Sequence, residues 1–360
     1  MKTRLSNKQK WFNKINLTSD DELYVGIDVH KKSYHLAFWL NDAPAIDFVM
    51  PSDNKKVAQI LQKFRNALML IVYEAGPTGY CLARALKNTG LAVCVVAPSK
   101  TPRQSAPDSK TDRLDAKKLA EFAAKGLLKP IAIPTKQQEA DRQLTRLRQQ
   151  IVEKLKRIKI QIKSFLLQHG IEQPKGLVSW SLPAIQRLKR LQLSKHLRFC
   201  LDMMLEQLLF ITTQLKDAEK TIKEAFNKGP LATKTKILIT HPGVGPVIAN
   251  QFCTEIFNPK RFKDKTELAK YVGLAPSVRQ SGQTLRDGPI LKTGRPQLRS
   301  NLIQGAWAWV AKDPHARKTF YKLVHNTGHK NKAITAMARK LAIHLWKMAS
   351  ENKPYCPQQD

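Results

Sequence analysis

Acidic residues are scarce in this sequence. Its 360 residues hold 28 Asp and Glu against 62 Lys and Arg, a formal net charge of +34 and a pI near 10.1. That imbalance points to a polyanionic partner, and nucleic acid is the commonest one. The basic residues are spread along the chain instead of lying on one amphipathic helix, so a membrane surface is the minor alternative. Cysteine is sparse too: Cys81, Cys94, Cys200, Cys253 and Cys356 are scattered without a Cys-x-x-Cys pair. This argues against structural zinc and a disulfide framework, and it suits a reducing compartment. No apolar run approaches the ~18 residues that cross a bilayer, and the basic stretch Met1 to Asn16 lacks the apolar segment of an export signal. The expectation is a soluble, cytoplasmic protein with no membrane partner.

What is present is organised around Ser109-Lys110-Thr111-Asp112-Arg113-Leu114-Asp115-Ala116. Asp112 and Asp115 open a helical pattern with Leu114, Leu119, Phe122 and Ala123 at its apolar positions, and Ser109 or Thr111 is a candidate N-cap. Residues three apart share a helix face, so the two carboxylates point the same way. They repel unless a cation or proton sits between them, although an acid pair at a helix start also simply complements the helix dipole. Which other acids the fold brings here decides between these readings.

A chain of this length, 42% hydrophobic, supports two or three domains. Residues 1–22 read as a basic arm. Leu23 to Asp28 and Tyr34 to Leu40 read as strands joined by a hairpin, and Asp47 to Met50 as a short third strand. Val57 to Asn66 has helical spacing, Leu68 to Tyr73 is an apolar strand ending on Glu74, Thr78 to Asn88 is helical, and Leu91 to Val96 is again a buried strand. With the helix from Asp112 to Lys125 the order is β-β-β-α-β-α-β-α, that of a ribonuclease H-like α/β domain over 23–130. In that fold the first strand is central and the fourth lies parallel beside it. Asp28 and Glu74 then emerge at neighbouring strand ends, and the last helix carries Asp112 and Asp115 to the same edge. Alone, Asp28 would be a strand-end acid and Glu74 a solvated one. Together the four form an oxygen-rich site of the kind Mg²⁺ or Mn²⁺ prefers in phosphodiester chemistry.

Residues 131–228 read as a helical linker. Leu144, Leu147, Ile151, Leu155, Ile158, Ile162 and Phe165 form one heptad-like seam, and Leu201, Leu205, Leu208, Leu215, Ala218 and Ile222 a second. An intramolecular hairpin and a dimer contact are both open, and the length favours a coiled-coil element that includes a dimer contact. A third region, 229–350, is mainly helical, and 351–360 is a polar tail. His241-Pro242-Gly243-Val244-Gly245-Pro246 reads as a tight turn into a helix, either bringing backbone N–H groups to a phosphate or serving structure alone. Ser277 to Gln283 reads as a polar loop, with Arg286, Lys292, Arg295 and Arg299 following as candidate nucleic-acid contacts. A serine among such cations is a possible nucleophile towards phosphate, although Ser-Gly pairs are common in loops.

Three of these stretches resemble the DEDD motifs of a bacterial transposase family, the insertion sequence 110 family with its 1111 subgroup, to which the Piv DNA invertase is related. They are Gly26 to Lys31, Tyr73 to Gly79 and Lys110 to Ala116. His241 to Ala249, Tyr271 to Pro276, Gln280-Ser281-Gly282 and Lys292 to Arg295 resemble that family's C-terminal transposase domain. The resemblance implies a RuvC-like first domain, a coiled-coil dimerisation segment and a serine supplied by the last domain. Carried over residue by residue, Asp28, Glu74, Asp112 and Asp115 are the metal ligands and Ser281 is the nucleophile, with Ser277 its competitor. It further implies donor and target DNA as substrates, a noncoding guide RNA, a homodimer or tetramer, and action at the nucleoid. Two rivals stand beside it: a hydrolytic RuvC-like nuclease that uses water, and a non-catalytic nucleic-acid-binding protein.

Overall fold

The computed structural model describes residues 11, 15–102, 112–281, 284–292 and 294–357, leaving aside the side chains of 278–287. The candidate caps Ser109 and Thr111, as well as Gly282 and Thr293, lie outside the described residues. The chain divides into two compact units, Met1–Ile133 and Pro134–Asp360.

The first unit is built on a five-stranded sheet of β1 (Leu23–Val29), β2 (Ser33–Leu40), β3 (Ala43–Pro51), β4 (Leu68–Glu74) and β5 (Val93–Val96), in the spatial order β3-β2-β1-β4-β5. β1 is antiparallel to β2 and parallel to β4, with Ile27 opposite Tyr73. This is the ribonuclease H order. β1 is apolar from Leu23 to Ile27 because both its faces are covered there. Leu23, Val25 and Ile27 share one core with α1 (Asn54–Gln62) and α2 (Cys81–Asn88), while Val72, Cys94 and Val96 meet α3 (Asp112–Ala124) on the other side. Full burial of each such aliphatic side chain contributes about 1.5–3 kcal/mol. β3 runs to nine residues and not the short strand expected at Asp47 to Met50, because it pairs with β2 along its whole length. α1 begins earlier than the apolar spacing from Val57 indicates. Asp53 caps it, accepting from the N–H groups of Lys55 and Lys56.

Gly26 sets how α3 sits on the sheet. A Cβ there would strike the backbone carbonyl of Ala116, lie 2.6 Å from Ala120 N and 3.0 Å from Leu119 Cβ. Only glycine lets the helix backbone rest directly on β1, two residues before Asp28 and one turn after Asp112. Gly26→Ala should therefore lower the unfolding free energy by about 1–3 kcal/mol, the usual cost of overpacking, and remove strand cleavage with it. An unchanged melting temperature would show that this contact has slack.

The second unit opens with two long helices, α4 (Lys136–Gln168) and α6 (Lys195–Lys228), flanking the short α5 (Leu182–Lys189). Thr135 and Gln138 cap α4 reciprocally in a capping box. The long helices run antiparallel: Arg148 meets Glu219 near one end, and Ile158, Ile162 and Leu166 share a core with Leu201, Leu205 and Leu208 near the other. The seams therefore pack on one another within the chain, while Leu147 stays 44% exposed.

Around a separate core the rest of the unit gathers α7 (Ala232–Ile239), α8 (Pro246–Ile256), α9 (Lys265–Val272), α10 (Pro296–Lys312), α11 (Pro314–Thr327) and α12 (Lys330–Glu351). Ser277 to Ser281 is not the loop its composition suggests, and Gly282 and Gln283 lie outside the described residues. Pro276–Ser281 is a strand, β6, paired antiparallel with β7 (Thr284–Ile290), and Ser281 stands opposite Thr284 at the turn. The first part of the His241–Pro246 turn is packed, while Gly245 and Pro246 are exposed. A Cβ on Gly243 would strike the Gly305 carbonyl and lie 2.7 Å from Trp309 Cβ. That close approach explains this glycine without a phosphate.

His241 is 1% exposed, and its Nδ1 accepts from Gly243 N. Burial first, then the neighbouring His344, push its pKa down to about 3, with Asp313 opposing. A folded pKa below the unfolded value means that the ring's contribution to stability is complete above pH ~6.5. It is lost as the pH falls from there towards 3, by up to about 1.4 kcal/mol per pH unit. The thermal midpoint should thus fall on acidification below about pH 6.5, and less steeply in His241→Phe. Parallel curves for the two proteins would show that another group titrates.

Candidate active site

Asp28 is the sixth residue of β1, at the strand's carboxyl end, where the apolar run gives out and the chain turns towards β2. His30 follows at the next position on the same side of the backbone. Its Nε2 lies 2.9 Å from Asp28 Oδ2 and 3.4 Å from Asp112 Oδ2. Asp112 is there because α3 crosses β1 at Gly26. One ligand atom from each of Asp28, His30 and Asp112 fits within a 4.8 Å cluster.

The charges in this cluster are strained. Burial raises the Asp28 pKa, the hydrogen bond and charge of His30 oppose it, and the charges of Asp112 and Asp115 raise it again. Asp115 and Glu74 contribute no ligand atom to that cluster. The hydrogen bond and charge of Asp28 in turn hold His30 above its ordinary value, against a smaller loss from burial.

Glu74 ends β4, the parallel neighbour of β1. Its Oε1 accepts a 2.8 Å hydrogen bond from Thr101 Oγ1. The loop after it is tied down by Tyr73, whose hydroxyl donates to Gly79 O and accepts from Ala83 N, both at 3.3 Å. Burial pushes that phenol up to about 12, so it stays protonated.

A second set of contacts fixes α3. Asp47 on β3, 13% exposed, takes Arg113 Nε at 2.9 Å, Lys117 Nζ at 2.8 Å and His35 Nε2 at 3.3 Å. Burial opposes its charge, but hydrogen bonds from Lys117, His35 and Arg113 outweigh it and hold Asp47 below the usual carboxylate range. Arg113 lies between Asp112 and Asp115 and Lys117 two residues beyond them, so Asp47 orients the helix turn that carries the two acids.

Sequence reasoning missed His30, Thr101 and Asp47. Of these only His30 left a signal, the Asp-x-His spacing at a strand end, which puts both side chains on one side.

In the second unit, Ser281 closes β6, while its side chain and that of Arg286 lie outside the described residues. Ser277 Oγ lies directly against Gly288 across the hairpin. Lys292 is exposed. Arg295 is 50% exposed, with its Nε 3.9 Å from Glu255 Oε2. Glu255, only 3% exposed, also takes Arg146 through two hydrogen bonds of 2.7 and 2.9 Å. Arg299 is half-buried on the first turn of α10.

A ribonuclease H-ordered sheet with Asp28 and Asp112 meeting beyond its central strand, in a chain this basic, suits an enzyme acting on nucleic acid. Two family models make the class specific. The DEDD transposase model matches residues 25–171, and that of the transposase IS116/IS110/IS902 family matches residues 235–322. The chain belongs to this family of insertion-sequence transposases and is a DNA transposase.

Its relatives include a putative transposase of Sinorhizobium fredii, 29% identical and covering 92% of this chain and 89% of that one. The transposase for insertion sequence element IS1533 of Leptospira borgpetersenii is 27% identical over 79% and 85%. That for IS1111A of Coxiella burnetii is 23% identical over 76% and 75%. A solved structure, "T. thermophilus RuvC in complex with Holliday junction substrate", matches 31% of this chain and 99% of that one at 13% identity and a TM-score of 0.22, a likeness without functional weight. Among the described residues no helix is long and apolar enough to cross a membrane.

Proposed function

We propose that this transposase cuts and rejoins DNA by a metal-assisted, serine-dependent reaction, with Asp28, Glu74, Asp112 and Asp115 as metal ligands and Ser281 as nucleophile. The observation that carries the metal half is the meeting of Asp28 and Asp112 at His30. The carboxylate oxygens of Asp28 and Asp112, which come within 4.8 Å of one another, are the donors that a divalent cation such as Mg²⁺ or Mn²⁺ prefers, and the His30 imidazole holds the two in place. Such a cation, when bound, activates an attacking hydroxyl and stabilises a leaving oxygen. Asp115 acts on Asp28 through its charge, and Glu74 ends the adjacent strand, held by Thr101.

Ser281 is favoured over Ser277 on two grounds. It closes β6 opposite Thr284, whereas the Ser277 hydroxyl lies against Gly288. Ser281 Oγ loses its proton and attacks the phosphorus, and one strand oxygen leaves as a hydroxyl. The resulting phosphoserine diester keeps the bond energy until the hydroxyl of another strand attacks it and releases the serine. Arg286, Lys292, Arg295 and Arg299 hold the DNA phosphates. The buried Glu255 aims Arg295.

The +34 charge also supports a noncoding RNA of the element as guide to donor and target DNA. Phe199, Met203 and Phe210 lie on one face of α6 and are 64%, 42% and 64% exposed. That face supports a coiled-coil contact between copies, in a dimer or tetramer. The test is strand cleavage of the element's terminal DNA by the full chain with Mg²⁺ or Mn²⁺ and with a chelator. Cleavage should need the cation, and equal cleavage in the chelator would remove the metal from the reaction.

A further inference from the structure

Away from these residues, a pocket of about 320 Å³ opens between α11, α12 and the C-terminal segment of the second unit. Its size is at the small end of ligand sites, which run from roughly 300 to 1,000 Å³. Trp309, Ala316 and Met348 are its buried residues, and His344 and Tyr355 stand half-buried beside them. Trp309 and His344 meet edge to face at 5.0 Å, and His241 supports Tyr355 from behind at 4.4 Å.

The C-terminal segment forms part of this wall because it is tied down. Tyr355 N donates to Thr240 Oγ1 at 2.8 Å, and Tyr355 Oη donates to Asp313 Oδ2 at 2.7 Å. Asp313 also accepts from Trp309 Nε1 and Ala316 N. Asp313 is thus engaged from three sides, and no acid is among the lining residues.

The open side is cationic. Lys340, His344 and Lys347 follow one another at i, i+4 and i+7 on α12, both lysines are exposed, and His315 and Thr319 face them from α11. Burial first, then Lys340 and Lys347, hold His344 below the ordinary histidine range. Its ring is therefore neutral near pH 7 and free to stack.

We propose that this pocket binds one unstacked nucleotide of a nucleic-acid strand, its base against the Trp309–His344–Tyr355 wall and its phosphate between Lys340 and Lys347. The inference goes beyond the cleavage chemistry proposed above and does not depend on Ser281 or the metal ligands. Aromatic groups at the base, cations at the phosphate and the absence of lining acids are the combination that single-strand binders use, and it tolerates any base sequence.

Cys356 lines the pocket and is exposed, as are Cys81 and Cys200 outside it, whereas Cys94 and Cys253 are buried. This gives a direct test on the full chain. The alkylation rate of each cysteine is followed by peptide mapping with dTMP, UMP or inorganic phosphate present. With a dissociation constant on the order of 1 mM, ~2 mM nucleotide should slow Cys356 about threefold, leaving Cys81 and Cys200 unchanged. Phosphate should protect less. The Lys340→Ala/Lys347→Ala variant should melt like the parent and lose the protection.

Ten-nucleotide dT and rU strands in the same assay distinguish DNA from RNA as the source. No protection by either nucleotide would overturn the proposal. So would equal protection by phosphate, equal slowing of all three exposed cysteines, or protection that survives the double variant.

Discussion

Asp28→Asn should abolish metal-dependent strand cleavage while DNA affinity and melting temperature hold. The two halves of this expectation have different causes. Asp28 is the carboxylate on which the cluster centres, 2.9 Å from His30 and within reach of the charges of Asp112 and Asp115. Replacing it removes a ligand, and the loss should exceed the 10–100-fold typical of groups that only orient ligands. Stability should not fall, because burial and two like charges already raise the Asp28 pKa; a neutral amide relieves that penalty. DNA binding depends on the basic surface and not on the acids. His30→Ala should cost less, about 10–100-fold, if its role is to hold Asp28 and Asp112 in place. Cleavage by Asp28→Asn at the parent rate would remove the cluster from the chemistry.

Ser281→Ala should bind DNA as the parent does and give no recombinants. A serine hydroxyl is a weak nucleophile at neutral pH, so the reaction asks for an activated oxygen and cations around the phosphate. The expected loss is complete for strand exchange because water, the remaining nucleophile, discards the bond energy that rejoining needs. A variant that still cleaves but leaves free ends would point to the hydrolytic RuvC-like rival. Binding that survives loss of the acids, with no cleavage by the parent, would point to the non-catalytic one.

The first unit was legible in the sequence because its information is local. Apolar runs bounded by turns gave the strands, and the β-β-β-α-β-α-β-α order carried the sheet topology with it, including the parallel pairing of β1 with β4. What escaped notice depends on long-range pairing. Ser277 to Gln283 is polar and glycine-containing, so composition favours a loop. The strand there exists because Thr284–Ile290 pairs with it.

Asp47 reads as an ordinary strand residue until α3 brings Arg113 and Lys117 to it. Glu255 reads as a helix-surface acid in Pro246–Ile256, yet it is 3% exposed and takes Arg146 from a helix more than a hundred residues earlier. Gly26 sits within a strand, where glycine usually weakens the structure. Its necessity shows only once the carbonyl of Ala116 lies on top of it.

The central claim is that a serine carries the DNA between cutting and rejoining. Quenching reactions of the full chain with its terminal DNA in denaturant, then mapping the peptide that retains the nucleotide, tests it most directly. The account predicts a covalent phosphodiester on Ser281, formed only with the divalent cation and missing from both Ser281→Ala and Asp28→Asn. An adduct on Ser277, or recombination by Ser281→Ala, would contradict it.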